Sequence, residues 1–139
     1  MKLSTRGQYA TRAMLQLALN RGEKPLSIRE IAMAEGLSDQ YLEQIFRDLR
    51  RAGLVDSIRG AYGGYLLRSK TENISVGDII RAVEGPILPV NCLYSEETCG
   101  RSSQCVTRRV WAKLQNSMLN VLNQTTLADM VQMANEKEC

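Results

Sequence analysis

The sequence predicts a mainly helical chain with one small β-hairpin, and three observations carry that expectation. Apolar residues recur at helical spacing in several short segments, each opened by a capping residue. Between residues 54 and 69 the period changes to the alternation of strands, around the turn cluster GAYGG. A long periodic stretch, VTRRVWAKLQNSMLNVLNQ, then follows a polar segment rich in cysteine.

Taken in chain order, Ser4 is suited to cap a first helix, in which Tyr9, Ala10, Ala13, Met14, Leu17 and Ala18 share a face. Asn20-Arg21-Gly22 ends it and Pro25 marks a linker. Ser27-Ile-Arg-Glu30 is a capping box opening a short helix from Ile28 to Glu35, with Ile28, Ile31 and Ala32 inward. Gly36 supplies a tight turn. Ser38 caps a third helix, Asp39 to Ala52, whose apolar stripe is Tyr41, Leu42, Ile45, Phe46 and Leu49, and Gly53 is placed to cap its end. Two helices joined by a short glycine turn are the helix-turn-helix pattern. The strands LVDSI and GYLLRS directly after it make a winged helix, with Arg59, Gly60, Ala61, Tyr62, Gly63 and Gly64 at the wing's tip.

Ser75-Val-Gly-Asp78 opens a further helix through Ile79, Ile80 and Val83, stopped by Glu84-Gly85-Pro86. In the long helix 106–123, Val106, Val110, Leu114, Met118 and Val121 form one stripe, with Trp111 and Leu122 beside it. So small a domain has little surface to cover that stripe, so the helix reads as a dimerisation element; packing on its own domain is the competing reading. Thr126 caps a last helix, Leu127 to Ala134. The fold class is therefore a winged helix-turn-helix plus a long dimerisation helix.

With 139 residues the chain is long enough for one domain with its own core, and its apolar fraction of 44% is ordinary. No run of about 18 apolar residues occurs, as a membrane-spanning helix requires. The N-terminus has polar residues where a signal peptide needs an apolar block, so the expected location is the cytoplasm. The net charge of +3 says less than its distribution. Arg47, Arg50, Arg51, Arg59 and Arg68 crowd the first half, while Glu96, Glu97, Asp129, Glu136 and Glu138 lie in the second. A basic first half favours a nucleic-acid partner over an ordinary solvated face once the helix-turn-helix is considered with it.

The outer face of the third helix offers Ser38, Asp39, Gln40, Glu43, Gln44, Arg47 and Arg51. An α-helix fits the major groove of double-stranded DNA, where its N-terminal side chains meet base edges. Glutamine pairs with adenine through two bonds, whereas arginines further along suit phosphates. Arg59, with Tyr62 beside it on the wing, is placed for a narrow minor groove, where negative potential concentrates. Glu43 repels phosphate and accepts only from donors such as cytosine N4. It is read either as a penalty on wrong sequences or as a surface partner of Arg47 one turn away.

Cys92, Cys99 and Cys105 are separated by six and five residues, and the chain has no histidine. Zinc sites usually grip their ion with cysteines two residues apart, and no such pair exists here. Wider spacing suits thiolates around an iron–sulfur cluster. Zinc, a redox-active thiol and inert thiols are the other readings, the last at odds with a polar segment.

The stretches MKLSTRGQYATRAMLQLA, GLSDQYLEQIFRDLRRAGLV, RGAYGGYLL and ISVGDIIRAVEG resemble the winged-helix regulator family that includes IscR, NsrR and CymR. The likeness runs over roughly residues 1 to 130 and is nearest to the IscR branch, Glu43 in YLEQ included. It implies a homodimer that binds double-stranded DNA and controls iron–sulfur biogenesis genes. It also implies a 2Fe-2S cluster in each subunit, held by Cys92, Cys99 and Cys105. The organisation would then be a DNA-binding domain over 1–85, a cluster-binding loop over 86–105, and a dimerisation helix with a C-terminal tail over 106–139. Where the family pattern has a fourth ligand, a histidine three positions after the third cysteine, this chain has Arg108, whose guanidinium stays protonated. Cys139, Glu96, Glu97 and a partner's Gln8 are the candidates to replace it. Rival readings are a nitric-oxide sensor of the NsrR type with a 4Fe-4S cluster, and a zinc- or thiol-based redox protein. The last leaves the helix-turn-helix unexplained and lacks any histidine for acid–base chemistry, so an enzyme is not expected.

Overall fold

The computed structural model describes residues 3–20, 24–90, 93 and 104–136. Six helices and one hairpin follow in the order α1 (Thr5–Leu19), α2 (Ile28–Glu35), α3 (Asp39–Arg51), β1 (Val55–Ile58), β2 (Gly64–Leu67), α4 (Val76–Glu84), α5 (Val106–Gln124) and α6 (Leu127–Glu136). The mainly helical fold with a two-stranded wing is thus the one the sequence predicts.

The helix starts follow from local chemistry. Ser4, Ser27, Ser38 and Ser75 each accept a bond from a first-turn amide. In α2 and α4 the capping box is closed by Glu30 and Asp78, which accept from the Ser27 and Ser75 amides. Burial by itself would raise the Asp78 carboxyl, but the Ser75 amide and hydroxyl and the Arg81 guanidinium outweigh it and hold the group below its ordinary value. Its charged form therefore adds stability above the unfolded carboxylate pKa, and that stability fades as pH falls through the lower folded value. Thr126 and Asp129 bond reciprocally at the start of α6.

Helix ends differ from the sequence reading by one or two residues. Helix α3 stops at Arg51, Ala52 is still right-handed, and Gly53 is the left-handed residue at φ 81 that turns the chain into β1. Helix α5 runs one residue further, to Gln124, and α6 two further, to Glu136.

One core holds the body together. Phe46, Leu42, Ile45 and Leu49 of α3 pack with Met14 and Leu17 of α1, Ile31 of α2, Val55 of β1, Ile79 of α4 and Leu127 of α6, all essentially inaccessible. Helix α6 therefore returns to the core that supports the helix-turn-helix. A second, smaller cluster joins Val76, Ile80 and Ile87 to Met118, Leu119 and Leu122 of α5. The α5 stripe is split by this packing. Met118 faces α4, while Val106 and Val121 remain 70% and 65% exposed, and Val110 and Trp111 are also open.

The wing has a third pairing segment that periodicity did not reveal. Strands β1 and β2 pair antiparallel from Val55–Leu67 to Ile58–Gly64. Leu26, ahead of α2, bonds Tyr65 through both backbone groups, at 3.1 and 2.7 Å. The close approach needs Gly64, because a Cβ there would lie 2.2 Å from the Leu26 carbonyl oxygen. Gly64→Ala should cost about 1–3 kcal/mol of stability and release the Leu26 and Tyr65 amides to exchange. Thermal unfolding and hydrogen exchange check this; unchanged protection would contradict the close approach.

Candidate nucleic-acid interface and the thiol segment

Helix α3 is fixed from inside and open outside. Its inner residues Leu42, Ile45, Phe46 and Leu49 are fully buried, so the helix cannot roll without opening the core. The opposite face leaves Gln40, Glu43, Gln44, Arg47 and Arg51 exposed together. Ser38 is exposed at the start, and its Oγ accepts the Tyr41 amide at 3.1 Å. That bond uses a lone pair and leaves the hydroxyl proton to donate elsewhere.

Glu43 and Arg47 are not joined by an ion pair within 4.0 Å; the pairs among the described residues lie elsewhere. The surface-pair reading of Glu43 thus loses its main support, and its carboxylate faces outward beside the two glutamines. Asp48 is the acidic residue of α3 that is engaged, paired to Arg6 of α1 and 4.0 Å from Arg51 Nη1.

A second set of contacts holds the helix-turn-helix turn against α1. Glu35, the last residue of α2, has a nearly buried side chain. Arg12 Nε and Nη2 both lie 2.7 Å from its Oε2, and Gln16 donates to its Oε1 at 2.8 Å. The same Arg12 guanidinium stands 5.6 Å over the Tyr9 ring, which meets the Tyr41 ring of α3 edge-on at 5.8 Å. The sequence reading missed Arg6 and Arg12. Their partners lie 42 and 23 residues away, and no local pattern announces them.

At the wing's tip Arg59, Gly60, Ala61 and Tyr62 are exposed, Tyr62 at 94%. Gly60 has φ 114 and its carbonyl accepts the Gly63 amide, which closes the turn. Arg68 and Asp56 pair at 2.7 Å across the two strands. The arrangement therefore presents two glutamines, a glutamate and arginines on one helix face, and an arginine with a tyrosine on a separate projecting turn.

Of the thiols, Cys105 lies within the described residues; Cys92, Cys99 and Cys139 lie outside them, as do Glu96 and Glu97. Cys105 occupies the N-cap position of α5, half-buried, with its Sγ 3.1 Å from Thr107 Oγ1. The first turn of α5 carries no acidic residue and holds Arg108 and Arg109. The Cys105 side chain makes no capping hydrogen bond to the amides of that first turn. Gln8 is exposed and donates to the Leu3 carbonyl at 3.0 Å. Among the described residues no helix is long and apolar enough to cross a membrane.

The sequence matches the Rrf2 family, described as an iron-dependent transcriptional regulator, over residues 3–133. The chain belongs to the Rrf2 family of DNA-binding transcription regulators. The regulator CymR of Bacillus subtilis strain 168 is 47% identical over 130 residues, covering 94% of this chain and 89% of CymR. The solved structure of CymR, the global cysteine regulator of B. subtilis, aligns with TM-score 0.81 at 44% identity, over 96% of this chain and 98% of that one. The structure of T. potens IscR aligns with TM-score 0.82 at 43% identity, over 100% and 92%. These Rrf2 relatives carry different regulator names at similar distance, so identity alone does not choose a branch.

For this Rrf2 chain the interface yields two expectations. Arg47→Ala should weaken binding to all duplexes alike and lower the slope of log affinity against log salt by about 1, read by titration at several salt concentrations. Glu43→Ala should narrow the gap between preferred and scrambled duplexes by about an order of magnitude. An unchanged gap would remove the selective role of Glu43.

Proposed function

We propose that this chain is a homodimeric regulator of the IscR type, acting in the cytoplasm on iron–sulfur biogenesis genes. The observation that carries the DNA part is the buried-inside, polar-outside division of α3. Gln40, Glu43 and Gln44 meet base edges in the major groove, and Ser38, Arg47 and Arg51 hold the flanking phosphates. Arg59 and Tyr62 of the wing reach the adjacent minor groove. The open residues Val106, Val110, Trp111 and Val121 of α5 cover each other across a dimer axis, which places two α3 helices on half-sites about one helical turn apart.

Cys92, Cys99 and Cys105 hold a 2Fe-2S cluster in this reading. Its support is the three-thiol set, the Cys105 position at a helix start free of acidic residues, and the iron-dependent description of the family. The cluster, when bound, supplies a soft-metal centre whose occupancy responds to iron supply and oxidants. The chain's own part is to couple cluster occupancy to the helices that flank the thiols in sequence, α4 and α5. That coupling can bias DNA binding only by the cluster's differential affinity for two arrangements, typically 1–3 kcal/mol or about 5- to 150-fold in affinity. With Arg108 where a histidine would stand, one position is left to Cys139 or to an exchangeable ligand.

The 47% identity to CymR, the global cysteine regulator of B. subtilis, favours a second reading, a CymR-like regulator that carries no cluster. Anaerobic purification with visible spectra and iron and sulfide analysis separates the readings. Two irons and two sulfides per subunit are expected, and both should vanish in the Cys92, Cys99, Cys105 triple alanine variant along with the shift in promoter preference. Four irons would favour an NsrR-type centre, and colourless, iron-free protein with intact regulation would favour the CymR type.

A further inference from the structure

The long helix α5 is tied to the winged-helix body through its C-terminal half. Val76 donates to the Thr125 carbonyl at 2.8 Å and Leu127 to the Ile74 carbonyl at 2.9 Å, so the backbone is pinned where α5 passes into α6. Met118, Leu119 and Leu122 pack on Val76, Ile80 and Ile87, and Gln115 donates to the Ile87 carbonyl at 3.2 Å. One charged side chain crosses at the pin itself. Arg81 of α4 donates through Nη1 to Asn123 Oδ1 of α5 at 2.8 Å, and through Nη2 to Asp78 Oδ1 at 3.1 Å. Gly77 makes room for it, since a Cβ there would stand 2.2 Å from Asn123 Oδ1 and 3.1 Å from Arg81 Nη1.

We infer that Arg81 and Asn123 are positioning residues that fix the angle between α5 and the DNA-reading body, and thereby set which half-site spacing the dimer accepts. This rests on the α5-dimer reading above. The length of α5 gives it leverage. Helix α5 has 19 residues and is about 28 Å long. A tilt of about 7° at its pinned end displaces the other end by about 3.4 Å, one base-pair step. Small errors at the pivot therefore become whole-step errors between half-sites. Backbone pins and apolar contacts resist separation of the helices but allow small rotations. A planar guanidinium held on two acceptors, one from each helix, resists rotation. The Arg81 and Asp78 side chains are 38% and 40% exposed, and an exposed pair adds little to folding stability. The clamp is thus placed to govern geometry more than stability.

The test uses the full chain and a duplex selected in vitro by the wild-type protein. Affinities are measured for that duplex, for versions with the half-sites moved by one and two base pairs, and for a single half-site. Wild type should prefer its own spacing by at least about tenfold. Arg81→Gln, Asn123→Leu and Gly77→Ala should each cut that preference at least about fivefold. Single-half-site affinity and dimer mass should stay within about twofold and the melting temperature should hold. Gly77→Ala is informative because its Cβ would meet the end of the Asn123 side chain, which can swing aside, so it displaces the clamp while leaving both of its residues in place. Asn123→Asp keeps the acceptor and should retain the wild-type preference. Variants that discriminate spacing as wild type does would overturn the clamp, as would Asn123→Asp failing as completely as Asn123→Leu. A wild-type protein that is monomeric or indifferent to spacing would instead remove the dimer reading and the clamp with it.

Discussion

Everything in the molecule depends on the burial of one side of α3. Leu42, Ile45, Phe46 and Leu49 are sealed against five other elements. Removing a large aromatic from such a site typically costs about 3–5 kcal/mol, a large share of a small domain's margin. Because this side is spoken for, the other side is forced outward in one fixed orientation. The polar contacts of α3 then refine what burial has set. Glu35 and Arg12 hold the turn before it, and Asp48 ties its far end to Arg6.

The charge of the interface follows from the same constraint. A net charge of +3 over the chain is modest, and the arginines of α3 and the wing share the exposed surface with Asp39 and Glu43. Asp48 is drawn inward between Arg6 and Arg51, while Glu43 is left among the glutamines. In the proposed reading, attraction to phosphate and discrimination among bases fall to different residues on one helix, which would let affinity and specificity vary separately.

Much of this was legible in the sequence because helix caps and apolar stripes are local. Ser4, Ser27, Ser38, Ser75 and Thr126 open helices where their spacing says they should. The hairpin was legible from the shift of period around GAYGG. What escaped was long-range. Nothing near Leu26 marks it as a partner of Tyr65, and Arg81 meets an asparagine 42 positions away. The periodicity of α5 showed an apolar stripe but not that Met118 would turn to α4 while Val106 and Val121 stayed open. Nor did it show that Leu127 would close the first core. The exposed face of α3 was legible as a set, whereas the pairing of Glu43 was not, since a spacing of four permits an ion pair without requiring one.

The central claim is that the outward face of α3 reads the operator. A crystal structure of the full chain on an in vitro selected duplex tests it most directly. The account predicts α3 in the major groove, with Gln40, Glu43 and Gln44 facing base edges and Arg59 in the neighbouring minor groove. A complex in which that face of α3 points to solvent, with the duplex held by other elements, would contradict it.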